Sequence, residues 1–424
     1  MSDAGATWAG THTFGATHLV VASSVDEAVA TVRDASARGE KVRALGTRHS
    51  FHDLADSEGT LLTLTEVPAD PELDDAAATV GRGTVTVGAG TRYGVLAAWL
   101  EERGFALHNL GSLPHISIGG ATQTGTHGSG VLNGNLSTAV RGLEFIDGDG
   151  ELQIVRRGER HFPALAVGLG AFGVVTRLAL AVEPTFQVRQ DIVRDIAWDE
   201  LLSNPLAILG AGYSVSVFTR WGEPTLEQVW VKSRVDIGSP PSAGWHGGTV
   251  MTSPTTLVGG DPADLTDQGV PGAWLHRLPH FRLDGTPSNG DEIQTEYFVD
   301  RADAAAALSA VRALADRLDP LLMITELRTV AADDLWLSGS YHRETLAIHF
   351  TWRNEPEPVA AVLPAIERAL EPFAARPHWG KWHTFNADQI AAAYPRLAEA
   401  RSVFKSWDPS GMFVNDHLTR LAVR

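Results

Sequence analysis

Residues 112–130, Ser-Leu-Pro-His-Ile-Ser-Ile-Gly-Gly-Ala-Thr-Gln-Thr-Gly-Thr-His-Gly-Ser-Gly, constrain the fold more than any other stretch of this chain. Five glycines in nineteen residues are too many for a helix or strand interior, where each costs roughly 0.5–1 kcal/mol against alanine. The stretch reads as loops with exposed backbone amides. Successive N–H groups in such turns bind anions without needing lysine, and Thr122, Thr124, Thr126 and Ser129 add hydroxyl donors. Gly46-Thr47-Arg48-His49-Ser50 is a second loop of this kind, at the end of a short strand, Lys41–Leu45. Each alone could be an ordinary surface turn. Two of them at strand ends favour phosphate binding.

The surrounding residues alternate strand and helix. Thr17–Val21 is a short apolar strand. Ser24 and Glu27 predict a capping box, and Ala28, Val29, Val32 and Ala35 recur at helical spacing up to Gly39. Thr84–Gly88 and Tyr93–Arg103 repeat the plan, with Gly104 as the stop, and strands are predicted over Gly142–Asp147, Glu151–Arg156 and Val174–Val182. Pro184 marks a boundary. Beyond it, Val215–Arg220, Gln228–Val235, Met323–Val330 and Thr345–Trp352 read as strands, and Ala304–Leu318 and Val359–Pro372 as helices. This predicts an α+β unit with a broad antiparallel sheet. Residues 236–292, dense in Gly, Pro, Ser and Asp, are expected to form long surface loops.

Composition removes whole classes of function. A net charge of −17 with no basic cluster argues against nucleic acid and against an anionic membrane surface. The absence of cysteine removes disulfides, thiolate metal sites, thiol nucleophiles and any flavin bonded through sulfur. No apolar run reaches about 18 residues and no export signal is visible, so the cytoplasm is the expected compartment. Only four lysines occur, Lys41, Lys232, Lys381 and Lys405.

Gly168-Leu-Gly-Ala-Phe-Gly173 satisfies the GxGxxG spacing, but a strand-like Val-Val-Thr-Arg-Leu-Ala-Leu follows it, whereas a dinucleotide fingerprint needs a helix there. These glycines are expected to turn tightly or admit a ligand. His49, His52 and His127 could be read as metal ligands, but they show no helical pairing, and no metal is expected. Glu326 and Arg328 are two apart on a strand and share a face, as do His349 and Thr351. Leu346, Ile348, Phe350 and Trp352 take the opposite face. Two such polar faces suit a pocket floor, or a structural Glu–Arg pair on a solvated sheet. Lys381, between Trp379-Gly380 and Trp382, is poorly placed for a solvated role.

With GTRHSF (46–51), SLPHISIGGATQTGTHGSG (112–130), GVVT (173–176), ELRTV (326–330), HFTW (349–352) and RPHWGK (376–381), nearly the whole chain resembles the vanillyl-alcohol oxidase family of FAD-linked oxidases, in its alditol (xylitol) oxidase branch, and more distantly the sugar-1,4-lactone oxidases. The resemblance implies a PP-loop-type FAD-binding domain (1–184) and a substrate domain (185–424) with a large antiparallel sheet flanked by helices. Residues 377–424 would return to the flavin. It places the flavin-linking histidine at His49 and FAD contacts at Gly46, Thr47, Arg48, Ser50, Ser112, Ser117, Gly120, Thr124, Gly125, Thr126, His127, Val175 and His378. It places polyol binding at Ser112, Glu326, Arg328, His349, Thr351 and Lys381, with Arg328, Lys381 and Glu326 as catalytic residues. The chemistry implied is hydride transfer from a terminal carbinol to flavin N5, giving an aldose and hydrogen peroxide; the alternative is a sugar-1,4-lactone substrate. Gly111, where relatives often carry alanine, would leave dioxygen free access. The expected partners are a small polyol and dioxygen, and the chain is expected to be a monomer.

Overall fold

Ser24 sits in extended backbone, its side chain accepts from the Glu27 amide, and the helix Val25–Arg38 begins there; Gly39, at φ +67°, ends it. The expected capping box is half formed, because the Glu27 carboxylate reaches the amide and hydroxyl of Ser23 rather than the Ser24 amide. The stripe Ala28, Val29, Val32 and Ala35 is buried, as helical spacing requires. The computed structural model describes residues 4–74, 82–253, 255–256, 260–285 and 291–424.

Three sheets follow in the chain. β1 (His18–Val21), β2 (Val42–Ala44) and β3 (Thr60–Thr63) form a parallel sheet of order β1-β3-β2. β4 (Glu72–Leu73), β5 (Gly83–Gly88), β6 (Phe105–Ala106), β7 (Val140–Ile146), β8 (Leu152–Arg156) and β9 (Val174–Pro184) form an antiparallel sheet of six strands. The remaining strands are β10 (Gln187–Arg194), β11 (Ser214–Thr219), β12 (Gln228–Arg234), β13 (Thr249–Val250), β14 (Pro271–Ala273), β15 (Glu292–Asp300), β16 (Leu322–Val330), β17 (Thr345–Arg353) and β18 (Arg376–Pro377). They make a nine-stranded antiparallel sheet of order β13-β10-β12-β11-β16-β17-β15-β18, with β14 also on β10. The α+β class read from the sequence is the class observed.

One face of the nine-stranded sheet is covered by the helices Ala304–Arg312 and Pro356–Leu370. There Ile293, Tyr297 and Val299 of β15 pack with Ile348, Phe350 and Trp352 of β17. Trp352 donates to Thr295 Oγ1 at 2.9 Å, which satisfies the one polar atom of a fully buried indole. The opposite face is left for the site.

Several expectations change. Residues 112–130 are not loop throughout, since Ile118–Gln123 is a short helix. Its glycines are a packing requirement. A Cβ on Gly119 would lie 3.0 Å from the Ala89 side chain, and the Gly119 amide donates to the Ala89 carbonyl. Tertiary contact thus overrides propensity. The helix expected over 304–318 is broken into Ala304–Arg312 and Ala315–Leu318. β10 and β15 were not legible as strands. Residues 236–292 are not merely surface loops either, although 254, 257–259 and 286–290 of that stretch lie outside the described residues. β13 and β14 extend the sheet, and Trp274 is fully buried.

The GxGxxG stretch behaves as its sequel implies. Gly173 opens onto β9, not a helix, and a Cβ there would lie 2.3 Å from the Ile146 carbonyl oxygen. Its Leu169 (φ +58°) and Gly170 (φ +63°) turn their carbonyls onto Arg43 at 2.8 and 2.7 Å.

Candidate active site

Strand register decides which side chains meet. Glu326 on β16 is opposite His349 on β17, which is opposite Glu296 on β15, so the three form one row across the sheet. Thr351 faces Gln294 in the next row, and on the other side of β16, Ser216 of β11 pairs with Arg328. The period of two sends Leu346, Ile348, Phe350 and Trp352 to the core and the polar residues to the open face. A bulge between Leu322 and Ile324 turns both Met323 and Ile324 onto the wall of the site.

This face closes a cavity of about 490 Å³, whose opposite wall is built from the glycine loops. Of the residues singled out in the sequence, Gly46, Thr47, Arg48, His49, Ser50, Gly111, Ser112, Ser117, Gly120, Thr124, Thr126, His127 and Val175 line it. So do Glu326, Arg328, His349, Thr351, His378 and Lys381. Gly125 is not on the wall; at φ +68° it turns the chain between Thr124 and Thr126. The segment 378–382 reaches the cavity because it runs along β15, with the His378 amide on the Glu296 carbonyl and the Trp382 amide on the Gln294 carbonyl. His49, His52 and His127 do not assemble. His52 stacks on His417 (4.3 Å), whose Nδ1 donates to Asp53 at 2.7 Å beside Arg420. His127 instead meets Glu296 and His378, and His49 stands apart from both groups.

The floor is a dense network of charge. Arg328 donates to Ser112 Oγ at 3.1 Å and to Glu296 Oε1 at 3.4 Å, and its Nε lies 3.5 Å from Glu326 Oε1. Glu296 also meets His127 Nε2 at 3.0 Å. His280 Nε2 lies 2.7 Å from Glu326 Oε1. Burial alone would push the Glu326 carboxyl up, but Arg328 and His280 outweigh it and hold the group well below the usual carboxylate range. Glu296 behaves likewise, with His127 and Arg328 opposing its burial. Lys381 donates to Gln294 Oε1, which also lies 3.2 Å from His349 Nε2, and its ammonium lies 4.9 Å from the Phe51 ring centroid. Burial brings Lys381 down to about 8, against the upward pull of Glu296. Burial also holds His49 at about 4 and His349 and His378 at about 3, so these imidazoles are neutral near pH 7.

The opposite wall fits a dinucleotide. Among the described residues, the backbone amides of Gly46, Thr47, Arg48, His49 and Ser50 have no acceptor on the protein. Arg48, at φ +64°, turns this run toward the cavity. Gly46 and Gly120 flank Ser117: a Cβ on either would lie 2.6 or 3.0 Å from its Oγ, which is buried with no hydrogen-bond partner. The Thr47 hydroxyl ties the loops together, accepting from the Ser117 amide at 3.2 Å and meeting His49 Nδ1 at 3.2 Å. Trp8 stacks on the His49 ring at 5.4 Å. Bare Cα atoms, unspent amides and a buried orphan hydroxyl are what close approach of a pyrophosphate requires.

Sequence reasoning missed Gln294 and Glu296, although Ile293, Thr295, Tyr297 and Val299 alternate with them at strand spacing. It also missed His280, in a segment set aside as surface loop, and left Lys232 without a place.

A family model described as FAD binding domain matches residues 16–156, and one described as D-arabinono-1,4-lactone oxidase matches residues 290–421. The chain is 44% identical over 425 aligned residues to an alditol oxidase of Streptomyces sp., covering 99% of each. It is 28% identical to an L-gulono-1,4-lactone dehydrogenase of Mycobacterium tuberculosis, again over 99% of each. Cholesterol oxidase from B. sterolicum shares the fold at a TM-score of 0.79 and 16% identity, over 99% of this chain and 96% of that one. Glycine loops facing a charged sheet, together with these relationships, show that the chain belongs to the vanillyl-alcohol oxidase family of FAD-dependent oxidases, with the alditol oxidases.

Proposed function

We propose that the enzyme oxidises the terminal hydroxyl of an alditol of the xylitol or sorbitol type to the aldose, with dioxygen reduced to hydrogen peroxide. The observation that carries this reading is one cavity holding both the glycine loops and the row Glu296–His349–Glu326 with Arg328, Thr351 and Lys381. Flavin, when bound, accepts the hydride at N5 and returns the electrons to dioxygen. Everything else falls to the chain. Residues 1–184 would hold FAD, and 185–424 would form the substrate wall, with 377–424 returning to the flavin.

Arg328 and Lys381 polarise the reacting hydroxyl and stabilise negative charge on oxygen, the role of preorganised cations in a dry site. Glu326, held ionised, accepts hydrogen bonds from hydroxyls farther along the chain, and Thr351 and Ser112 bind others. His49 is the covalent attachment point. Mixing the purified protein with xylitol under anaerobic conditions is expected to bleach the flavin, and admitting air to restore its colour. A yellow protein that xylitol leaves oxidised would refute the alditol reading.

One observation supports a second substrate class: the match of residues 290–421 to the lactone oxidase model. Reduction by a sugar-1,4-lactone and not by a linear polyol would decide for it.

Gly111 lines the cavity, and the nearest atoms a Cβ there would meet are Thr126 Cγ2, Ile116 Cδ1 and His127 O, at 3.6 to 3.8 Å. Those are ordinary contacts, so a Cβ is accommodated there, and a larger side chain would reach into the space proposed for the flavin. Gly111→Val is expected to slow reoxidation by air about tenfold or more, a rise of about 1.4 kcal/mol in the barrier, with anaerobic reduction by xylitol unchanged. Unchanged reoxidation in stopped-flow would remove Gly111 as the oxygen route.

A further inference from the structure

Lys232 is wholly buried on β12, yet among the described residues it forms no salt bridge. Its Nζ lies 2.6 Å from the Leu278 carbonyl, 3.1 Å from the Pro279 carbonyl and 3.1 Å from His280 Nδ1. An ammonium has three donors and no acceptor, so these three partners exhaust it. Burying a charge is expensive, and a methionine would fill the same volume at lower cost. A lysine kept there has a task.

Hydrogen-bond bookkeeping identifies it. As an ammonium Lys232 only donates, so His280 Nδ1 presents its lone pair, and the acceptor Glu326 Oε1 opposite Nε2 demands the same tautomer. The ring proton then sits on Nε2, which faces Glu326 Oε1 at 2.7 Å and can donate to it. The same segment holds the other end of the site, as the amides of His280 and Phe281 both donate to the Ser112 carbonyl, at 3.1 and 3.2 Å. Ser112 Oγ in turn accepts from Arg328. Neither Lys232 nor His280 belongs to the polyol-binding set above.

We propose that Lys232 and His280 are positioning residues: Lys232 fixes the His280 tautomer, and His280 aims the Glu326 carboxylate at the hydroxyls of the substrate chain. The inference rests on the alditol reading, through the role given to Glu326. Burial keeps His280 neutral, at about 4, so its ring carries a single proton to be placed; burial lowers Lys232 to about 7, and Glu326 favours its charged, donating form.

Two polar replacements separate aim from packing. Glutamine at 280 can set its amide where Nε2 was and still donate to Glu326, whereas asparagine reaches only the Nδ1 side, toward Lys232. In anaerobic flavin reduction, His280→Asn is expected to raise the half-saturating xylitol concentration about tenfold or more, as for a lost bond to a charged group. The limiting reduction rate should change less than about threefold, and His280→Gln should stay near the parent. Lys232→Met should behave as His280→Asn does. With propane-1,2-diol, which lacks the distal hydroxyls, all three should match the parent. Xylitol failing to reduce the parent would sink the alditol reading, and this inference with it. A parent reduced normally while Asn, Gln and Met variants are alike, or lose equally with both alcohols, would overturn the inference alone.

Discussion

Lys381→Ala is expected to lower the limiting rate of flavin reduction by xylitol about a thousandfold, the scale seen when one preorganised charge-stabilising donor is removed. The flavin should stay on the protein. Lys381 is held in place by the turn at His378–Lys381 and by Gln294, and its ammonium rests over Phe51. It therefore reaches the cavity with little freedom left to lose, which is why so large an effect is expected of its removal. Burial has brought it down to about 8. If the charged form is the active one, kcat/KM should fall as pH rises through about 8. Glu292, Glu296 and Glu326 oppose that loss of charge, and Arg328 favours it. Lys381→Arg, always protonated, should move the alkaline limb above the range of ordinary lysine. Near-normal reduction by the alanine variant would remove Lys381 from the chemistry.

His49→Ala is expected to convert a flavin that stays with the denatured polypeptide into one wholly released on acid precipitation. The His49 ring is half-buried and neutral, with its lone pair available, because desolvation has pushed its pKa down to about 4. Trp8 and Thr47 fix the plane of that ring. Neutral imidazole is a competent nucleophile toward an activated methyl carbon, whereas imidazolium is not. The variant should also bind FAD reversibly, since the amides of the 46–50 run are backbone and survive the substitution. On the proposed attachment, loss of an electron-withdrawing bond should lower the flavin potential and slow its reduction. Flavin that remained with the His49→Ala chain would place the link on another residue.

Much of this site was legible before the fold was known, wherever its logic was local. Ser24 and Gly39 bound a helix through their own backbone preferences, and Glu326–Arg328 and His349–Thr351 share faces because strand side chains repeat every two residues. The glycine loops announced close approach to a ligand, since no other residue leaves the backbone that bare. Even there the short helix Ile118–Gln123 was hidden, because the contact that demands Gly119 comes from Ala89, thirty residues away.

The identity of the chemistry came from the family resemblance that such local motifs carry: a histidine in a glycine turn, a lysine among tryptophans, and two alternating polar strands. Only the tertiary structure decided who stands beside them. Glu296 joins His349 through the register of β15 on β17, and His280 reaches Glu326 from a loop that is Gly- and Pro-rich by composition. Lys232 finds its partners some 46 to 48 residues away. Alternation says which face a side chain takes, but the strand it will meet is chosen by non-local pairing, whose energy resides in the packed core and not in any short run of sequence.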